Sequence, residues 1–142
     1  MTICPLCDAQ DEDVLWQDDF CRVILAVEPD YPGFLRVILK AHIKEMTDMP
    51  GPDQASFMRV VLAAEMALRT VLAPDKINLA SLGNVVPHLH WHVIPRFAED
   101  PHFPNPVWGA KLRHTPHTPP AELARQLSAA LHRSLAHVPG TE

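Results

Sequence analysis

The run His88-Leu89-His90-Trp91-His92-Val93-Ile94 sets the hardest constraint on what this chain can fold into. Three histidines alternate with large apolar residues, and alternation at period two is the signature of a β-strand with two unlike faces. On such a strand His88, His90 and His92 project to one side, successive ones roughly 6.5–7 Å apart. Leu89, Trp91 and Val93 project to the other side and need cover. A solvated strand face is ordinarily built from Thr, Lys or Glu, so three of the chain's nine histidines in one row call for chemistry. Neutral imidazoles can bind a catalytic metal, and a His-x-His strand offers two ligands. In the other chemistry the central imidazole attacks phosphorus while its neighbours fix tautomer and charge. Same-face side chains of one strand do not readily give three ligands to one tetrahedral ion, which favours the covalent reading.

The surrounding chain reads as a small mixed domain. Strands are expected over 13–17, 20–27 and 34–40, the last two joined through Glu28-Pro29-Asp30-Tyr31-Pro32-Gly33, where Pro sets φ and Gly tolerates positive φ. A helix is expected over 52–72, because Phe57, Val60, Val61, Ala64, Leu68, Val71 and Leu72 recur at three and four. Pro52 suits its first turn and Pro74 lies just beyond its end. A further strand over 77–82 leads through Gly83 into the histidine strand as an antiparallel hairpin. From Phe97 the composition turns Pro-rich and aromatic, an ordered flap rather than a linker. Thr118-Pro119-Pro120 opens a last helix with Leu123, Leu127, Leu131 and Leu135 on one edge, stopped by His137-Val138-Pro139-Gly140.

With 142 residues the chain suits one domain: a core over 1–97, a Pro-rich loop over 98–118 and a C-terminal helix over 119–137. A net charge of −5 without a Lys/Arg stripe does not suggest a nucleic-acid partner. Apolar runs broken by Arg, Lys or Glu do not suggest a membrane span. Three cysteines without a secretion signal argue against a disulfide framework and for a cytoplasmic protein. Cys4-Pro5-Leu6-Cys7 is a redox pair, half of a zinc site, or two plain thiols. Asn78 is a polar residue inside an apolar strand and needs a partner, which a ribose or phosphate could supply. Asn84 is either a turn residue or a phosphate-holding amide beside the histidines.

The triad run resembles, at every position, the His-φ-His-φ-His-φ-φ signature (φ apolar) of the histidine triad (HIT) superfamily of nucleotide hydrolases and transferases. Asn78, Gly83 and Asn84 stand near where that family has Asn, Gly and Gln, and Pro95-Arg96 is similar to the end of its motif strand. The likeness reaches back through Pro32-Gly33-Phe34-Leu35-Arg36-Val37-Ile38 to Ala41-His42. It implies an α+β fold, an antiparallel sheet of about five strands with two main helices, and a homodimer. It implies a small-molecule nucleotide substrate, with His90 as the nucleophile on the α-phosphorus. His92, protonated, stabilises charge or helps the leaving group, and His88 orients its neighbours. The base sits around Phe20, Ile24 and Val27. No metal is required for catalysis, although Mg²⁺ can arrive with the substrate. A structural zinc, found in some HIT proteins, takes Cys4, Cys7, His42 and His88 here.

Two positions depart from the family pattern. Ala26 stands where an acid or amide holds the ribose, leaving Glu28 as a substitute, and Val85 stands where Ser or Thr is usual. The missing hydroxyl favours a dinucleoside polyphosphate over a phosphoramidate, the purine nucleoside phosphoramidase being the alternative. An intact His92 speaks against the transferase branch in which Gln replaces the third histidine. A non-catalytic adenine-nucleotide-binding protein is the reading from another class.

Overall fold

A computed structural model describes residues 3–136 of the chain. Its strands are β1 (Asp13–Gln17), β2 (Cys21–Leu25), β3 (Leu35–Leu39), β4 (Lys76–Ala80) and β5 (His90–Arg96). They form one antiparallel sheet in the order β1-β2-β3-β5-β4. The helices are α1 (Gly51–Leu72) and α2 (Leu123–Leu135), and a 3-10 turn at Met46–Asp48 precedes α1. This is the expected α+β architecture of five strands and two helices, with most boundaries within two residues of the sequence expectation. The expected stop at His137–Gly140 lies outside the described residues. No helix among the described residues is long and apolar enough to cross a membrane.

Both helices lie on one face of the sheet. Alternation puts Val23, Leu35, Val37, Leu39 and Val93 into a core with Phe57, Val61, Ala64 and Leu68 of α1 and Leu127 and Leu131 of α2. Ser128 ties α2 to the sheet edge by donating its hydroxyl to the Leu15 carbonyl at 2.7 Å. Helix α1 begins with a proline in its first turn and ends at Ala73, whose backbone is left-handed (φ 47°, ψ 55°). In the β2–β3 connection, Gly33 has φ +94°, and a Cβ there would lie 2.7 Å from Leu72 Cδ1. Only glycine lets this turn pass so close under α1.

The other face carries the chemistry. Register places His92 opposite Arg36 and His90 opposite Ile38, while Ile24 of β2 faces Arg36. In one respect the strand differs from expectation: β5 begins at His90, and His88 lies in a bend before it. Pro87 has no N–H to donate to a ladder, and the Leu89 N–H turns aside to the Ile43 carbonyl at 2.8 Å. Two histidines therefore share the strand face, and the third is free to point elsewhere.

Candidate active site

His90 opens β5, and its backbone carbonyl accepts the Ser81 hydroxyl at 2.7 Å. Its ring nitrogen Nδ1 lies 2.6 Å from the His88 carbonyl oxygen. A carbonyl only accepts, so Nδ1 must carry a hydrogen, and in the neutral ring it is Nε2 that keeps the lone pair. That is the tautomer a nucleophilic imidazole needs. Ser81, read from sequence only as a strand residue, anchors the position, but a serine at a strand end offers no signal of its own.

His92 packs its ring edge-on against three others. The centroid separations are 5.0 Å to His90, 5.1 Å to Trp108 and 5.6 Å to Phe34. Its Nδ1 is buried and has no hydrogen-bond partner among the described residues. Burial, with smaller effects from His90 and Arg36, pushes its pKa down to about 4. The expected protonated His92 is thus neutral in the resting protein, because a cation in that pocket would lose its hydration beside Arg36.

His88 does two separate things. Its carbonyl sets the His90 tautomer, while its own ring lies between the end of β3 and the thiols of Cys4 and Cys7. Nε2 lies 2.6 Å from the Leu39 carbonyl and so carries the hydrogen. Nδ1 then presents a lone pair 3.4 Å from Cys4 Sγ, 3.4 Å from Cys7 Sγ and 3.2 Å from His42 Nδ1. All four donor atoms lie within 4.8 Å of one another. Zinc bonds of roughly 2.0–2.3 Å place tetrahedral donors about 3.3–3.8 Å apart, so the donor set fits a metal ion with little adjustment. The Leu39 carbonyl behind His88 is the outer partner that such a ligand ordinarily has.

The expected nucleotide contacts are dispersed. Ile24 is buried on the histidine face, as an apolar slot requires. Phe20 instead packs edge-on against Phe57 at 6.1 Å, joining the core beneath α1. Val27 is 92% exposed beyond the end of β2. Asn84 is exposed in the bend before the triad. Asn78 has found its partner inside the protein, since its side-chain oxygen accepts Arg96 Nη1 at 2.7 Å. The structural reason is Arg96 itself, 2% exposed and paired with the wholly buried Asp100 at 2.8 Å. Asp100 also takes the Tyr31 hydroxyl at 3.2 Å and the Phe103 N–H at 2.8 Å, and His102 Nδ1 lies 2.6 Å from the same hydroxyl. Burial alone would raise the Asp100 carboxyl, but hydrogen bonds from Arg96 and the Phe97 and Phe103 N–H groups hold it well below the carboxylate range. This latch fixes the Pro-rich loop so that Trp108 meets His92. A cavity of about 210 Å³ opens there between Glu28, Phe34, His102 and Trp108. A larger one of about 440 Å³, between Pro32, Leu72 and Phe97, holds none of the triad histidines.

The HIT domain model matches residues 8–99, which include the histidine strand and its hairpin partner. The chain belongs to the HIT domain family. Among HIT relatives, AP-4-A phosphorylase of Mycobacterium tuberculosis is 29% identical over 114 residues, which span 72% of this chain and 58% of that protein. The chain thus covers little more than half of that relative's length. The structure of a histidine triad protein from Marinobacter aquaeolei VT8 superposes with a TM-score of 0.71 at 29% identity, covering 95% of this chain and 96% of that one. A Zn-bound histidine triad family protein from Mycobacterium smegmatis superposes with a TM-score of 0.62 at 26% identity, over 92% of this chain and 94% of that one.

Proposed function

We propose that this HIT protein cleaves a nucleotide at its α-phosphate through a covalent histidine intermediate, a dinucleoside polyphosphate being the preferred substrate. The observation that carries the reading is the 2.6 Å contact from His90 Nδ1 to the His88 carbonyl, which makes Nε2 the nitrogen that bears the lone pair in the neutral ring. His90 Nε2 attacks the α-phosphorus, a P–N bond forms and the bond to the bridging oxygen breaks. The leaving phosphate chain departs with that electron pair. Water then attacks phosphorus, the P–N bond breaks, and the nucleoside monophosphate leaves while the imidazole is restored. His92, neutral at rest, donates a ring N–H to a non-bridging oxygen as charge accumulates there. Ile24 is one apolar wall for the base, and Glu28 takes the ribose-holding role that Ala26 cannot.

Cys4, Cys7, His42 and His88 would hold a structural zinc, which cross-links the N-terminal segment to the start of β5. Its four donors lie within 4.8 Å of one another, and no step runs through it. The Mycobacterium tuberculosis relative carries a phosphorylase name, so inorganic phosphate is a second acceptor to test in place of water. We place the protein in the cytoplasm as a homodimer, to be checked by size-exclusion chromatography.

The deciding experiment is chromatographic product analysis with diadenosine tetraphosphate and, separately, adenosine 5′-phosphoramidate. Each is run with and without a chelator, with and without inorganic phosphate, and with His90→Gly. The expected result is AMP in buffer, or ADP when phosphate is the acceptor, resistant to brief chelation and lost in His90→Gly. Turnover of neither substrate would move the protein to a nucleotide-binding role. Activity surviving in His90→Gly would remove His90 as the nucleophile.

A further inference from the structure

Four cations share the strand face of the histidines by register: Arg22, Arg36, Lys76 and Arg96. Three of them already have short partners. Arg22 Nε lies 2.7 Å from Glu12, Lys76 Nζ 2.8 Å from the Ile77 carbonyl, and Arg96 Nε 2.8 Å from Asp100. Arg36 differs. It stands directly across the ladder from His92, with its guanidinium carbon 5.7 Å from the centre of the Phe34 ring. Among the described residues its ion-pair contact is Glu28 at 3.5 Å, between side chains that are 31% and 40% exposed. A pair so long and so wet adds little and is readily exchanged for a better anion.

Chemistry at phosphorus needs positive charge beside the non-bridging oxygens as negative charge gathers there. His92 is neutral in the resting site and its buried Nδ1 is unpartnered among the described residues, so it brings no fixed charge. A guanidinium does not titrate, and its planar fork suits two phosphate oxygens. Phe34 supports both groups, since its ring meets the edge of His92 at 5.6 Å and lies beneath Arg36. We propose that Arg36 is the fixed cation of this site, exchanging Glu28 for a non-bridging oxygen of the α-phosphate that His90 attacks. The inference rests on the nucleotide reading above and adds to it a phosphate-binding residue outside the triad.

Isothermal calorimetry of AMP against adenosine tests it, because the two differ only in the phosphate. The proteins are wild type, Arg36→Gln, Arg36→Lys and Arg125→Gln, the last removing an exposed charge on α2. Wild type should prefer AMP. Arg36→Gln should cut that preference by about ten- to hundredfold, the scale of one charge-assisted hydrogen bond, with adenosine binding unchanged. Unchanged adenosine binding also shows that the variant is folded. Arg36→Lys should restore part of the preference, and Arg125→Gln should leave it intact. Glu28→Gln should keep or raise the AMP-to-adenosine ratio whatever it does to the nucleoside. The proposal is overturned if Arg36→Gln keeps the wild-type preference, if adenosine affinity falls equally, or if Arg125→Gln loses as much. If wild type binds neither compound, the nucleotide reading itself fails and this inference falls with it.

Discussion

The two ends of β5 are held by opposite kinds of chemistry. Before His90 stands a cluster of thiols and imidazoles, Cys4, Cys7, His42 and His88, suited to a metal ion and half open to solvent. After Ile94 stands a dry ion pair, Arg96 with Asp100, reinforced by Asn78, Tyr31 and the Asn105 carbonyl. Both serve the same strand. The first sets the His90 tautomer through the carbonyl of a proposed ligand, and the second sets what lies over His92 through the loop that carries Trp108. One anchor is built of thiols and imidazoles that could hold a metal, the other of a desolvated charge pair.

The largest expected effect breaks the dry end. Asp100→Ala leaves Arg96 buried without its partner, and such a loss costs about 3–5 kcal/mol. Urea denaturation should show it, and an equal stability for Asp100→Ala and wild type would remove the latch from this account. At the metal end, chelation or Cys7→Ser should lower the thermal midpoint by on the order of 10 °C if zinc is bound. Scanning calorimetry with added Zn²⁺ should restore the chelated wild type and not the variant.

Acid should separate the two ends further. The Asp100 carboxyl is lower in the folded chain than its unfolded value of about 3.9. Its contribution is therefore complete above about pH 4 and is lost as pH falls through the lower folded value. In chelated protein, the 97–113 loop should resist proteolysis from pH 8 to about pH 5 and open only below about pH 4. Opening near neutral pH would mean that the ion pair does not hold the loop. The smallest effect lies away from both anchors. Ala73→Gly relieves a left-handed backbone at φ 47° and should stabilise by about 0.5–1 kcal/mol without changing turnover. A change in turnover of similar size to the other variants would show that activity merely follows global stability.

What could be read from sequence was whatever a local period encodes. The alternation of His90, Trp91 and His92, the stripe of Phe57, Val61, Ala64 and Leu68, and the Leu123-to-Leu135 edge each report a buried face within a few residues. They led to the sheet, both helices and the central histidine. The same period also misled, because it extended the strand to His88, where Pro87 and a bond to the Ile43 carbonyl end the ladder. The resemblance placed Phe20 in a base slot, whereas its ring packs against Phe57. Asn78 was legible as a polar residue in need of a partner, but not as the partner of Arg96.

The resemblance to HIT proteins brought Cys4, Cys7, His42 and His88 together as one set. Their actual approach is tertiary, since Cys4 and His88 stand 84 positions apart. The same holds for Arg36 across from His92 and for Trp108 against it. Sequence alone determined which faces of this chain are apolar and that a row of histidines lies opposite them; that only His90 and His92 stay on the strand face was a tertiary outcome. Which groups meet that pair was decided only by strand register and loop closure, because contact between distant residues depends on the whole packed core and not on any repeat within it.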